Sequence, residues 1–153
     1  MDKHPLLSHL LREFPEFRSR WDEHSKRSGH DAGPYLGMSL FVRFLTDDLY
    51  EKEDYKQVHA AFDEMEQFLR NGTAKVRESV AFGFLETLRN VASWKPYGSG
   101  VFIQFLRPES RRIWTKLDAA WGLNLDDCGV LEAEILIWRV ARQSLRHSST
   151  ILQ

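Results

Sequence analysis

Cysteine is nearly absent. Cys128 is the one thiol in 153 residues, so no disulfide can form within the chain, and folding does not call for an oxidising compartment. Net charge is nearly absent as well: 21 basic and 22 acidic side chains leave −1, which provides no general affinity for nucleic acid or membrane. No stretch approaches the roughly 20 apolar residues needed to cross a bilayer. The opening MDKHPLLSHLLREF carries too short an apolar run for a signal peptide and has Arg12 and Glu13 inside it. A cytoplasmic protein with no membrane partner is the expectation.

Motifs of catalysis are missing too. The chain contains no H-E-x-x-H, G-x-S-x-G or phosphate-binding P-loop. Gly98-Ser99-Gly100 is too short to cradle a phosphate and has no lysine after it. None of His4, His9, His24, His30, His59 and His147 pairs with another at helical i, i+4 spacing. His24 and His30 share a polar stretch with Asp22, Glu23 and Asp31 and are read as surface-loop residues, because a metal site needs convergent ligands. The Asp127 carboxylate would raise the pKa of the adjacent Cys128 thiol, so an inert cysteine is expected. No catalytic residue, metal or cofactor is assigned.

What the chain does contain is core-forming material. Hydrophobic residues make up 42 %, with ten Phe and five Trp, a globular composition. The organising stretch runs from Ala61 to Val91. Phe62, Met65, Glu66 and Leu69 follow helical i, i+3, i+4, i+7 spacing, with Glu66 the polar exception on an apolar face. Val76, Val80, Phe84 and Leu88 continue such a stripe. Between them, Asn71 and Gly72 suit a left-handed helix end, and Thr73 is placed to cap the next helix.

Pro5 suits a first helical turn, and Pro15 should break the first helix. Glu23 to Gly37 is polar and glycine-bearing and is expected to be a loop. Met38 to Leu49 is expected as a short buried helix, with strand the alternative; Thr46-Asp47-Asp48 would cap the next helix unless the two are continuous. SWKPYGSG after Val91 reads as loop. Val101 to Leu106 fits a short strand or a buried helical turn. Pro108 should open a helix that Gly122 ends, and a further helix is expected over 130–147.

Charge is distributed more informatively than any motif. From Asp47 to Glu66 there are eight acids against Lys52 and Lys56. From Gln67 to Lys116 there are nine bases against three acids. One consequence would be a surface that steers a charged protein partner, with Asp47, Asp48, Glu51, Glu53, Asp54, Asp63 and Glu64 as the contact residues. The plainer consequence would be that the two halves neutralise each other within the fold. The acids could also supply a paired-carboxylate site, although acids along a helix are more often a solvated face. Arg107, Arg111 and Arg112, with Trp94 and Tyr97 as stacking rings, could bind nucleic acid, but no nucleic-acid module is recognisable.

Three runs of residues resemble a family of small helical bacterial proteins. They are Met65-Glu66, Phe68-Leu69 and Asn71-Gly72; then Val76, Ser79 to Glu86, Leu88 and Asn90; then Leu106, Pro108 to Trp114, Leu117 and Trp121. Some members of that family look like immunity proteins encoded beside polymorphic toxins, and no catalytic residues come with it. The resemblance covers about the middle 60 residues and does not extend to the helix expected after Val130. Taken together, the expected structure is all-α: a single domain, 1–153, of about six helices, with HEAT-like helical hairpins as one form of it, a core over 38–121 and a last helix at 130–147. The expected function is stoichiometric binding of a cognate protein toxin.

Overall fold

Residues 5–28 and 34–122 are described in the computed structural model of the chain, and every regular element among them is helical. Helix α1 spans Pro5–Glu13, α2 Phe17–Ser28 and α3 Pro34–Arg43. A π-helical segment, Phe44–Tyr50, continues from α3, and α4 spans Tyr55–Asn71. Helix α5 (Ala74–Glu78), a second π-helical segment (Ser79–Glu86) and α6 (Thr87–Ser93) succeed one another without an intervening loop. A 3-10 helix, Ser99–Phe105, precedes α7, Pro108–Gly122. The all-α expectation stands, with seven α-helices among the described residues.

The chain divides into two compact units, Met1–Arg111 and Arg112–Gln153. The boundary lies within α7. Within the second unit, Ile113, Trp114 and Leu117 are buried residues of that helix. The expected 130–147 helix and Cys128 lie outside the described residues.

The first unit is organised by phenylalanine. Phe17 packs on Phe41 with ring centroids 5.1 Å apart, Phe41 on Phe84 at 6.0 Å, Phe84 on Phe62 at 5.5 Å and Phe62 on Phe105 at 5.8 Å. These residues lie on α2, α3, the second π-helical segment, α4 and the 3-10 helix, so one chain of rings ties five elements together. Each such pair adds about 0.5–1.5 kcal/mol beyond the area it buries. Prolines and caps set the joints. Pro15 separates α1 from α2, while Phe14 and Phe17 on either side of it are buried. Thr73 accepts the Val76 N–H at 3.3 Å and caps α5 as expected.

Three local expectations change. Glu23 to Gly37 is not one loop: α2 runs on to Ser28 and α3 begins at Pro34, which puts His24 on a helix. Thr46-Asp47-Asp48 does not cap α4; it lies inside the first π-helical segment, and Asp54 is the cap, accepting the Gln57 N–H at 3.4 Å. Gly72 is not left-handed, with φ −78° and ψ 163°. Glycine suits the position for lack of room, since a Cβ there would lie 2.4 Å from the Phe68 carbonyl oxygen. Of the two forms open to Val101–Leu106, the buried helical turn is the one found: Ser99–Phe105 is a 3-10 helix with Phe102 and Phe105 buried, and Leu106 follows it in extended backbone.

Candidate functional site

The first π-helical segment and the turn after it hold five of the seven acids expected to contact a partner. A π-helix closes i→i−5 bonds, and Glu51 N–H to Thr46 O (2.9 Å) and Asp54 N–H to Leu49 O (2.8 Å) show that spacing here. The wider turn places Asp47, Asp48 and Glu51 within reach of two distant parts of the chain.

From α2, Arg20 donates to Asp48 twice, Nε to Oδ2 at 2.6 Å and Nη2 to Oδ1 at 3.2 Å, and its Nη2 reaches Asp47 Oδ2 at 3.5 Å. From the turn after α6, Lys95 Nζ lies 2.8 Å from Asp47 Oδ1 and 3.1 Å from Glu51 Oε2. The Tyr97 hydroxyl donates to the same Glu51 oxygen at 3.3 Å. These groups form one connected platform built from three segments.

Its electrostatics stem from that geometry. Burial pushes the Asp47 carboxyl upward, but hydrogen bonds from Lys95 and Thr46 outweigh it and hold the group below the ordinary aspartate value. Lys95 is held well above the usual lysine value by its hydrogen bonds to Asp47 and Glu51. Burial, and then the nearby negative charge of Glu51, push Tyr97 up to about 12.

The other expected acids are placed differently. Asp54 is occupied as the α4 cap and also accepts from Gln57 Nε2 at 2.9 Å. Asp63 pairs with Arg107 Nε at 2.7 Å, and Glu64 Oε2 lies 2.6 Å from His9 Nε2. Glu53 is exposed and adopts φ +61°. Acid-half to basic-half neutralisation therefore accounts for Asp47, Glu51 and Asp63, while Arg20 and His9 from the N-terminal helices take Asp48 and Glu64.

Glu66, the polar residue on an apolar helical face, is 4 % exposed. Its carboxylate accepts the backbone N–H groups of Glu109 and Ser110, both at 2.9 Å, and Arg70 Nε at 3.2 Å. It closes the N-terminal turn of α7 from another helix.

Beside the platform, an open cleft of about 390 Å³ is lined by Glu16, Phe44, Asp48, Leu49, Lys52, Asp54 and Gln57. Its three carboxylates already have partners: Glu16 and Asp54 share Gln57, and Asp48 holds Arg20. Among the described residues, no group of three or more His, Cys, Asp or Glu side chains is arranged to hold a metal ion.

Arg20, Gln57, Lys95 and the platform role of Tyr97 escaped the sequence reading. The partners of Arg20, Lys95 and Tyr97 lie up to 48 positions away, and nothing local marks those three. Asp54 did carry a signal: Asp54-x-x-Gln57 is a near relative of the capping box.

Residues 7–122 match the model of a domain of unknown function, DUF7674, and the chain belongs to that family. No curated protein and no solved structure matches it.

Proposed function

We propose that this DUF7674 chain is a stoichiometric protein-binding protein, and that its task is to neutralise a cognate bacterial toxin. The observation that carries the reading is the charged platform. Asp47, Asp48 and Glu51 are held in place by Arg20, Lys95 and Tyr97. A surface whose side chains are already immobilised loses little conformational freedom when a partner docks, and this favours tight binding.

The residual charge supports the same reading. Residues 47–54 carry five acids and one lysine. Toxins that act on nucleic acid present basic clefts for phosphate, and such a cleft is complementary to an acid-rich surface. Complementary charge chiefly raises the rate of encounter.

The test is co-expression with the product of the neighbouring open reading frame, then affinity capture and size-exclusion chromatography with light scattering. A one-to-one complex is the expected result. Charge reversal at Glu51 and Glu53 should slow association at low salt; an unchanged on-rate would remove this surface as the contact.

A second reading has one observation in its favour. Three carboxylates line the cleft beside the platform, which suits a small hydrolase or transferase. Glu16→Gln would abolish turnover of any substrate found for it, and would leave partner binding unaffected.

A further inference from the structure

Trp94 is 90 % exposed. A free indole is among the costlier groups to leave in water, and Trp is strongly enriched among the residues that dominate protein interfaces. Trp94 does not sit on a loose loop. The next residue, Lys95, is tied to Asp47 and Glu51, and Tyr97 is tied to Glu51. The backbone just beyond the indole is therefore anchored at two nearby positions.

Further aromatic side chains meet the same turn, through Tyr97. Tyr55 is 44 % exposed, its ring lies 5.7 Å from Tyr50, and Tyr50 lies 4.9 Å from Tyr97. Tyr50 in turn packs on the buried Phe102 at 4.9 Å, so the row is seated on the core.

We infer that Tyr55, Tyr50, Tyr97 and Trp94 form a docking strip for a protein partner that presents lysine or arginine around an apolar pocket able to take an indole. The inference rests on the protein-binding reading above and names the centre of contact, which lies outside the acids themselves.

The flanking charge selects the partner. Over residues 44–54, the Trp94 turn and the side chains bonded to them, five acids stand against Arg20, Lys52 and Lys95. Arg20 and Lys95 are both spent on internal ion pairs with Asp47, Asp48 and Glu51, whereas Glu53 is exposed. A phosphate backbone brought to Trp94 for base stacking would meet net negative charge, the opposite of what single-strand binding surfaces provide. A basic protein surface would meet complementary charge.

The experiment selects a phage-displayed library of random peptides on the immobilised full chain. Enriched peptides should combine Lys or Arg with an aromatic or leucine residue. Their affinity should fall about tenfold or more with Trp94→Ala, as for an interface hot spot, and a few-fold with Glu53→Lys, and it should weaken as salt rises. Both substituted side chains are exposed, and circular dichroism should show the fold intact. Failure to enrich, enrichment of acidic peptides, or equal binding by Trp94→Ala would overturn the inference. So would oligothymidine binding that depends on Trp94, or self-association that Trp94→Ala abolishes. If the neighbouring gene product does not bind but basic peptides still require Trp94, the toxin reading fails and the strip stands. If a toxin complex forms equally with Trp94→Ala, the strip fails and the toxin reading stands.

Discussion

The Glu66 carboxylate accepts the backbone N–H of Ser110 at 2.9 Å, across 44 positions of sequence, and so closes a helix start with a side chain from another helix. The same carboxylate takes the Glu109 N–H. Unsatisfied N–H groups at a helix start are a cost that local caps usually meet. Here the local residue, Pro108, contributes no N–H. Glu66→Ala would strand two donors in a buried site and should destabilise the protein by about 2–4 kcal/mol. Glu66→Gln keeps an acceptor and should cost less. Urea unfolding midpoints measure both, and equal losses would mean that the carboxylate acts through charge rather than as an acceptor.

The Lys95–Asp47 pair should give the stability curve two limbs. The folded carboxyl lies below its ordinary value of 3.8. Its contribution is therefore complete above about pH 4 and is lost as pH falls through the lowered value. Lys95 lies above its ordinary 10.5, so its contribution is complete below about pH 10 and is lost as pH rises through the raised value. Lys95→Met removes the lysine's contribution and part of the Asp47 one, since Thr46 and Arg20 still bond that carboxylate. The predicted loss at neutral pH is about 0.5–1 kcal/mol, because the paired side chains stay partly exposed to screening solvent. Unfolding midpoints measured across pH should show the alkaline limb reduced and the acid limb shallower; unchanged limbs would contradict the pairing.

Tyr97 should ionise near pH 12, against 10.0 for an ordinary tyrosine. The raised value means that its contribution is lost as pH climbs from the ordinary value to the raised one. Glu51→Gln removes the nearby negative charge and should move the ionisation downward, while burial keeps it above the ordinary value. Ultraviolet titration of Glu51→Gln and of the parent, each against its Tyr97→Phe counterpart, isolates this hydroxyl. A phenol titrating at the ordinary value in the parent would contradict the platform geometry.

Two glycines should respond differently to alanine. At Gly72, a Cβ would lie 2.4 Å from the Phe68 carbonyl oxygen and 2.7 Å from Val76 Cγ1. A helix carbonyl cannot step aside, so Gly72→Ala should cost about 1–3 kcal/mol, and Val76→Ala should not restore it. At Gly37, the clash is with the Leu7 methyls, at 2.5 and 2.6 Å. Gly37→Ala combined with Leu7→Ala should therefore cost less than the sum of the two single changes. Thermal or urea denaturation of the double mutants separates the cases, and strict additivity at Gly37 would refute the close approach of α1 and α3.

Much of the helical layout was legible because it is written in local signals. Pro15 breaks a helix wherever it falls, the 3.6-residue stripe from Phe62 to Leu69 marks a buried face, and Thr73 caps the helix it precedes. The π-helical turns were not legible. Phe44–Tyr50 and Ser79–Glu86 bury most of their residues, as a core α-helix would, and no local residue pattern marks the wider turn. The misplaced cap has the same origin: Asp47 and Asp48 look like capping residues locally, yet two cations from elsewhere in the chain claim them. Glu66 read as an exception on an apolar face because its partners on α7 lie more than 40 positions away.

By itself, the sequence determined that the chain is helical, that its helices break at Pro15 and Gly72 and start at Thr73 and Pro108, and that its charge is unevenly distributed, since these depend on neighbours within one or two turns. The tertiary structure alone decided which acids are neutralised, which carboxylate closes α7 and which aromatic ring stays in water. Those outcomes depend on approach between side chains dozens of residues apart, and on how little room the phenylalanine core leaves for anything else.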